Sequence, residues 1–242
     1  MNDLHLHDET SALTADAAHW FLRRLAEAQK AGRRPHVALT GGSIAPAFHA
    51  EVSSAADSLA VDLDAVDWWW GDERFVARAS DERNDLSALR DLLEPSGVPH
   101  DRIHRVPSSD DVETVEEAAV AYTEALRVHG AQEFEVVVLG LGPDGHVASL
   151  FPGQDQVELT RTGAVAVHDS PKPPPLRVSL TMPTLLSARS VLFMASGEGK
   201  AEAVAAAHAP GPVLECPARG VRGQVETAWF LDRDAAAGLT QS

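Results

Sequence analysis

The 242-residue chain alternates strand-like and helix-like segments along its length, and this predicts an α/β fold with a mainly parallel sheet. Three observations carry the prediction. Residues 134–139, Phe-Glu-Val-Val-Val-Leu, form a near-continuous apolar run, the pattern of a strand buried on both faces of a parallel sheet. Residues 36–40 and 66–70 are shorter apolar runs, each followed at once by glycine. Between the runs lie amphipathic stretches with helical spacing.

Taken in order, residues 1–8 read as a loose tail. Ala17, Trp20, Phe21, Leu25 and Ala28 fall on one helical stripe across residues 11–31, with Arg23, Arg24 and Glu27 off it, and Gly32 is placed to stop that helix. Residues 36–40 make a buried strand closed by Gly41-Gly42-Ser43, and a helix to about residue 53 starts after the glycines. Residues 66–70 are a second strand whose three indoles, Trp68, Trp69 and Trp70, demand apolar cover on both faces. Helices are predicted over residues 84–93 and 112–126. After the central strand at 134–139, residues 164–167 form a weaker one. Pro171-Lys172-Pro173-Pro174-Pro175 must be a stiff, extended loop. Residues 191–195 are a strand, 198–208 a helix and 225–231 the last strand, with 233–242 a second loose tail. No repeat or long linker appears, so residues 1–242 read as a single domain.

Composition excludes several functions. Lys and Arg number 20 against 36 Asp and Glu, a formal net charge of −16. A field of that sign repels nucleic acid and anionic lipid. A small anionic substrate then requires a local basic pocket. Only three lysines occur, Lys30, Lys172 and Lys200. No apolar run approaches the roughly 18 residues of a membrane span, and the N-terminus lacks the pattern of a secretory signal. The single cysteine, Cys216, permits no internal disulfide and reads as inert. A cytoplasmic enzyme is the expectation. His5 and His7 are too close to the terminus, and too few, to argue for a metal site.

Ligands of parallel sheets bind at the carboxyl ends of strands, which directs attention to residues 40–43, 71–74, 140–146 and 196–200. Thr40-Gly41-Gly42-Ser43 lies between a strand and a helix. Its glycines let backbone N–H groups approach an anion, the helix start adds a favourable dipole and the hydroxyls add donors. It lacks the Gly-Lys-Ser/Thr ending of a P-loop, and a plain strand-to-helix turn is the alternative. Gly140-x-Gly142-x-x-Gly145 has the form of a dinucleotide fingerprint, but Pro143 removes a donor and Asp144 adds negative charge where pyrophosphate would lie. Asp144-Gly145-His146 reads better as an acid–base pair. His146 is a general base and Asp144 fixes its tautomer and stabilises the imidazolium. A solvated histidine at a helix start is the bland alternative.

Asp72-Glu73-Arg74 is either a surface ion pair or the source, in Arg74, of a fixed planar cation for a phosphate or an oxyanion. Lys172 stands among prolines, Lys200 follows Gly197-Glu198-Gly199 and Arg177 follows the proline run, so three cations lie in framed loops near strand ends. No Gly-x-Ser-x-Gly elbow exists, which argues against a serine hydrolase and leaves Ser149 a packing or capping role.

Together these segments resemble a known family. Leu39-Thr40-Gly41-Gly42-Ser43, the WWWGDERFV run at 68–76 with Asn84 downstream, GLGPDGHVASLFPG at 140–153, SPKPPPLRVSL at 170–180 and the Gly197/Lys200 segment look like the 6-phosphogluconolactonases, in order, over nearly the whole chain. The resemblance implies a Rossmann-like three-layer α/β/α sandwich with a doubly wound sheet, shared with glucosamine-6-phosphate deaminases. It implies a carboxylic ester hydrolase that opens 6-phospho-D-glucono-1,5-lactone to 6-phosphogluconate, the second step of the oxidative pentose phosphate pathway. No metal and no organic cofactor are implied. Beyond the phosphorylated lactone, the expectation is a monomer or small homo-oligomer with no nucleic-acid or membrane partner.

In that reading His146, Asp144 and Arg74 are catalytic, and Thr40, Gly41, Gly42, Ser43, Asp72, Lys172, Arg177 and Lys200 bind substrate or its phosphate. The chain departs from the family pattern twice. Ser43-Ile44-Ala45-Pro46 replaces Ser-Thr-Pro, and Val147 replaces the threonine after His146. Two rival functions remain in view, an isomerase or deaminase of the same fold and a non-catalytic sugar-phosphate sensor. The deaminases carry a glutamate shortly after the histidine, absent from Ser149-Leu150-Phe151-Pro152, and a sensor needs no general base.

Overall fold

A computed structural model describes residues 2–239. In chain order the elements are β1 (Asn2–His7), α1 (Thr10–Lys30), β2 (His36–Leu39), α2 (Ala45–Ala55), β3 (Asp67–Trp70), β4 (Asp72–Arg74), α3 (Asn84–Ala88), α4 (Val115–Val128), β5 (Val136–Gly140), β6 (Ala164–Val167), β7 (Arg177–Leu180), α5 (Met182–Leu185), β8 (Ser190–Ala195), α6 (Ala201–His208) and β9 (Glu226–Asp232). Six strands form one parallel sheet in the order β1-β9-β8-β5-β2-β3. The fold is the α/β sandwich with a mainly parallel sheet that the alternation predicts.

Strand periodicity splits the core into two layers. Along β5, Val136 and Val138 face a cluster that contains Leu13, Ala17, Phe21 and Leu25 of α1 and Phe48 of α2. Val137 and Leu139 face the opposite cluster, with Val115, Ala118, Tyr122 and Leu126 of α4 and Val204 of α6. Helices therefore cover both faces, and both faces of β5 must be apolar. The indoles obey the same rule, Trp68 and Trp70 on one side and Trp69 on the other, all fully buried. β3 is an edge strand, so its outward backbone groups need partners. The Tyr122 hydroxyl accepts the Trp70 N–H at 2.8 Å and donates to the Trp70 carbonyl at 3.0 Å, and the His104 N–H reaches the Trp68 carbonyl at 2.8 Å. The α4 start is closed by a capping box between Thr114 and Glu117.

Several expectations are corrected. Residues 2–7 are not a tail but β1, paired in parallel with β9 from Asn2 opposite Thr227 to His7 opposite Asp232. Their pattern hides a strand because the apolar residues point outward. Leu4 and Leu6 are exposed, whereas the His5 ring stacks on Phe230 at 4.2 Å. Residues 233–239 are ordered turns on the core, with Ala235 buried and its N–H donated to Asp232 Oδ1 at 2.8 Å; residues 240–242 of that expected tail lie outside the described residues. The weak strand at 164–167 exists, but in a second, antiparallel sheet of order β4-β7-β6. Residues 72–74 and 177–180 are its other strands. The 84–93 helix is α3 followed by a π-helical turn, Leu89–Leu93, and the 198–208 helix opens with a 3-10 turn, Glu198–Lys200.

At the amino end of β3 the fully buried Asp67 carboxylate accepts from Arg34 Nη2 at 2.6 Å and pairs with His104 Nε2 at 2.9 Å. Burial alone would raise its carboxyl. The His104 and Arg34 hydrogen bonds outweigh burial and hold it below the usual carboxylate range. Its folded-state value is thus depressed, and the stability it contributes is present above the unfolded value, about 3.9, and lost as pH falls below it. Asp67→Asn is expected to lower the thermal midpoint at pH 7 by roughly 3–12 °C, from about 1.5–3 kcal/mol for a charged hydrogen bond at roughly 2–4 °C per kcal/mol. Unfolding scans repeated near pH 3 should show the gap to wild type closing.

Candidate active site

The carboxyl ends of β2, β5 and β8 open toward the same place, and the small antiparallel sheet forms its far wall. Between them is a cavity of about 220 Å³, lined among others by Thr40, Gly41, Gly42, Asp72, Arg74, His146, Lys172, Arg177 and Lys200. A larger cavity of about 460 Å³ lies against α4, but the only ionisable side chain on its wall is Arg127. Of the predicted site residues, Asp144 stands behind His146. Ser43 is the exception. The chain turns at Gly42, whose carbonyl accepts the Ala45 N–H at 3.3 Å, and Ser43 is carried to the exposed side, off the cavity wall.

His146 sits in a tight turn after β5, closed by the Gly142 N–H on the His146 carbonyl at 2.9 Å and the Gly145 N–H on the Gly142 carbonyl at 3.0 Å. Its Nδ1 lies 2.5 Å from Asp144 Oδ1. Burial works against the Asp144 carboxylate, but the hydrogen bond and charge of His146 overcome it and hold the carboxyl at about 2. Asp144 is therefore an ionised acceptor, which puts a proton on the Nδ1 that faces it. Gly142 is required by this packing, because a Cβ there would lie 2.0 Å from His146 Nδ1. Phe151 covers the ring at 4.5 Å. Cys216 is buried against the Gly145 carbonyl, a packing position.

The cations arrive in two like-charged pairs. Arg74 and Arg177 are direct cross-strand partners of β4 and β7, a placement that repels unless an anion lies between. Arg74 donates one Nη to the Glu82 carbonyl at 2.5 Å, while its buried Nε has no partner among the described residues. Arg177 is held by the carbonyls of Pro174 at 3.2 Å and Lys172 at 3.0 Å. Lys200 donates to the Leu141 carbonyl at 2.6 Å, and burial first, then the charge of Lys172, lowers its ammonium against the opposing pull of Asp144. The loop that carries Lys200 is pinned by Asp232, which accepts from Ser196 at 2.5 Å and from the Gly197 N–H at 3.0 Å. Asp72, 6% exposed, accepts from the buried Ser149 hydroxyl at 2.6 Å and has Arg177 at 3.9 Å. Ser149 is thus a support for Asp72.

The residue-by-residue reading missed Asn84 as part of this wall. It is buried at the start of α3 and lines the cavity, its side chain donating to the Asp72 carbonyl at 3.0 Å. Its segment is tied to β4 by Glu73. The only local signal was its place in the family-like run. Among the described residues no cluster of three or more His, Cys, Asp or Glu could hold a metal ion.

Residues 8–229 match the family model described as glucosamine-6-phosphate isomerases/6-phosphogluconolactonase. A 6-phosphogluconolactonase of Streptomyces coelicolor is 38% identical over 99% of this chain and 95% of its own, and one of Mycobacterium tuberculosis is 37% identical over 98% of each. The solved 6-phosphogluconolactonase of Trypanosoma brucei superposes with a TM-score of 0.84 at 26% identity, covering 99% of both chains. A monomeric glucosamine-6-phosphate deaminase shares the fold, with a TM-score of 0.83 at 17% identity over 98% of this chain and 99% of its own. With a family model spanning most of its length and relatives of this identity along the whole of it, the chain belongs to the glucosamine-6-phosphate isomerase/6-phosphogluconolactonase family.

Proposed function

We propose that this chain is a 6-phosphogluconolactonase, hydrolysing 6-phospho-D-glucono-1,5-lactone to 6-phosphogluconate, with His146 as its general base. The observation that carries the reading is the His146–Asp144 pair opening into the one small cavity that also gathers Arg74, Arg177, Lys172 and Lys200. A lactone is a cyclic ester. Nε2 of His146 takes a proton from water, whose oxygen attacks C1. The resulting oxyanion collapses, the C1–O5 bond breaks and the imidazolium returns its proton to O5. Asp144 stabilises the transient imidazolium. The general-base contribution is about 10²–10⁴ in rate, and a fixed donor at the oxyanion adds about 10²–10³.

The phosphate is the handle that holds C1 in register. Backbone groups of Gly41 and Gly42, the Thr40 hydroxyl and the paired cations serve it, and Ser43 is left out of the set. The isomerase alternative is disfavoured by the segment after His146, where residues 147–152 bring no carboxylate to the cavity. A cytoplasmic location accompanies this reading, supported by the single cysteine. No helix among the described residues is long and apolar enough to cross a membrane.

The following outcomes test the reading. Freshly prepared lactone should be hydrolysed by the wild-type chain, and His146→Ala should lower kcat by about 10² or more; retention of a tenth of the activity would remove the base assignment. In the same variant, loss of the imidazole should let the Asp144 carboxyl rise from about 2 toward the ordinary range near 3.9, in a ¹³C NMR titration. Because the Asp144 value is depressed in the folded state, the stability it supplies is lost as pH falls from about 4 toward 2 in wild type. Lys172→Ala should lower kcat/KM by about one to two decades, from about 1.5–3 kcal/mol for a charge-assisted hydrogen bond. Calorimetry should find 6-phosphogluconate bound and gluconate not, with affinity falling as salt is added.

A further inference from the structure

The cavity wall is rich in donors and poor in acceptors. Arg74, Arg177, Lys172 and Lys200 only donate. A phosphorylated sugar lactone brings acceptors at its phosphate and carbonyl, but its ring hydroxyls at C2, C3 and C4 each carry a hydrogen that needs an acceptor. Asp72 supplies one, with one of its oxygens already taken by Ser149.

Asn84 is built to supply another. Its Nδ2 lies 3.0 Å from the Asp72 carbonyl oxygen. A carbonyl only accepts, so the nitrogen of the amide must face it and the oxygen must face away. No group among the described residues donates to that Oδ1. The amide oxygen lies against Gly41, where a side chain would put its Cβ 1.8 Å from Oδ1, so the glycine loop leaves room for it. Its backbone is fixed from behind, for the fully buried Glu73 carboxylate accepts the N–H groups of Asn84 at 2.7 Å and Asp85 at 2.9 Å. An amide alone fits both ends of this arrangement. A carboxylate has no donor for the Asp72 carbonyl and would offset the cations that face the phosphate.

We propose that Asn84 Oδ1 accepts the hydrogen of one ring hydroxyl of the substrate and so determines specificity for the hydroxylated lactone. The proposal rests on the lactonase reading above. The test measures kcat/KM for 6-phospho-D-glucono-1,5-lactone and its 2-, 3- and 4-deoxy analogues, with wild type and with Asn84→Ala. For wild type, one analogue should be about tenfold poorer than the parent, the scale of one lost hydrogen bond. In Asn84→Ala that gap should close while the gaps for the other two analogues stay as in wild type; taking ratios between the two proteins cancels the analogues' intrinsic reactivity. An equal loss on all four substrates, or no gap for any analogue with wild type, would overturn the assignment. Wild type without turnover of the parent lactone would overturn the lactonase reading as well, which separates the two failures.

Discussion

Glu73 places a carboxylate in the fully buried space between β4 and the start of α3, and the groups that solvate it are backbone N–H groups, those of Arg74, Asn84 and Asp85. Burial, and behind it the charge of Asp85, pushes this carboxyl up, against the pull of Arg83 and of the backbone donors. A buried charge is tolerated only where its hydrogen bonds are supplied, so the chain around it has little freedom. Arg83 completes the arrangement by donating to both oxygens of Asp85 and to the Val106 carbonyl. One wall of the cavity follows from this, because Arg74 and Asn84 flank the carboxylate and both face inward.

The opposite wall depends on close approach as well as on charge. The turn at residues 142–146 folds tightly enough to set the His146 ring where a side chain on Gly142 would stand, and Lys200 reaches across to the Leu141 carbonyl just before it. The ring is held by Asp144, by Phe151 and by this contact, all on fixed backbone. The imidazole is thereby preorganised in one geometry.

Charge is organised against the average of the molecule. A chain of net −16 brings four cations to a cavity of about 220 Å³. The acidic exterior repels large polyanions at long range, whereas the two like-charged pairs favour a compact dianion at short range. Arg74 opposite Arg177, and Lys172 beside Lys200, repel within each pair.

Sequence alone determined the alternating architecture, the glycine turns at the strand ends and the proximity of Asp144 and His146, because these are local properties. Apolar runs mark buried strands, glycines mark turns at their ends, and two residues in the same turn meet without help from the rest of the fold. The family-like motifs then indicated the reaction. Tertiary structure decided what depends on contacts distant in sequence. The edge strand β1 exists through its pairing with β9, 225 residues along from Asn2 to Thr227, and its outward leucines hide it from periodicity. The antiparallel sheet pairs residues 72–74 with 177–179, which no local pattern links. Ser43 lost its place because a turn geometry, and not residue type, sets which hydroxyls face the cavity. Asn84 gained its place because a buried carboxylate eleven residues earlier in the chain fixes its backbone, and side-chain direction at a wall is settled only when both sides of that wall are packed.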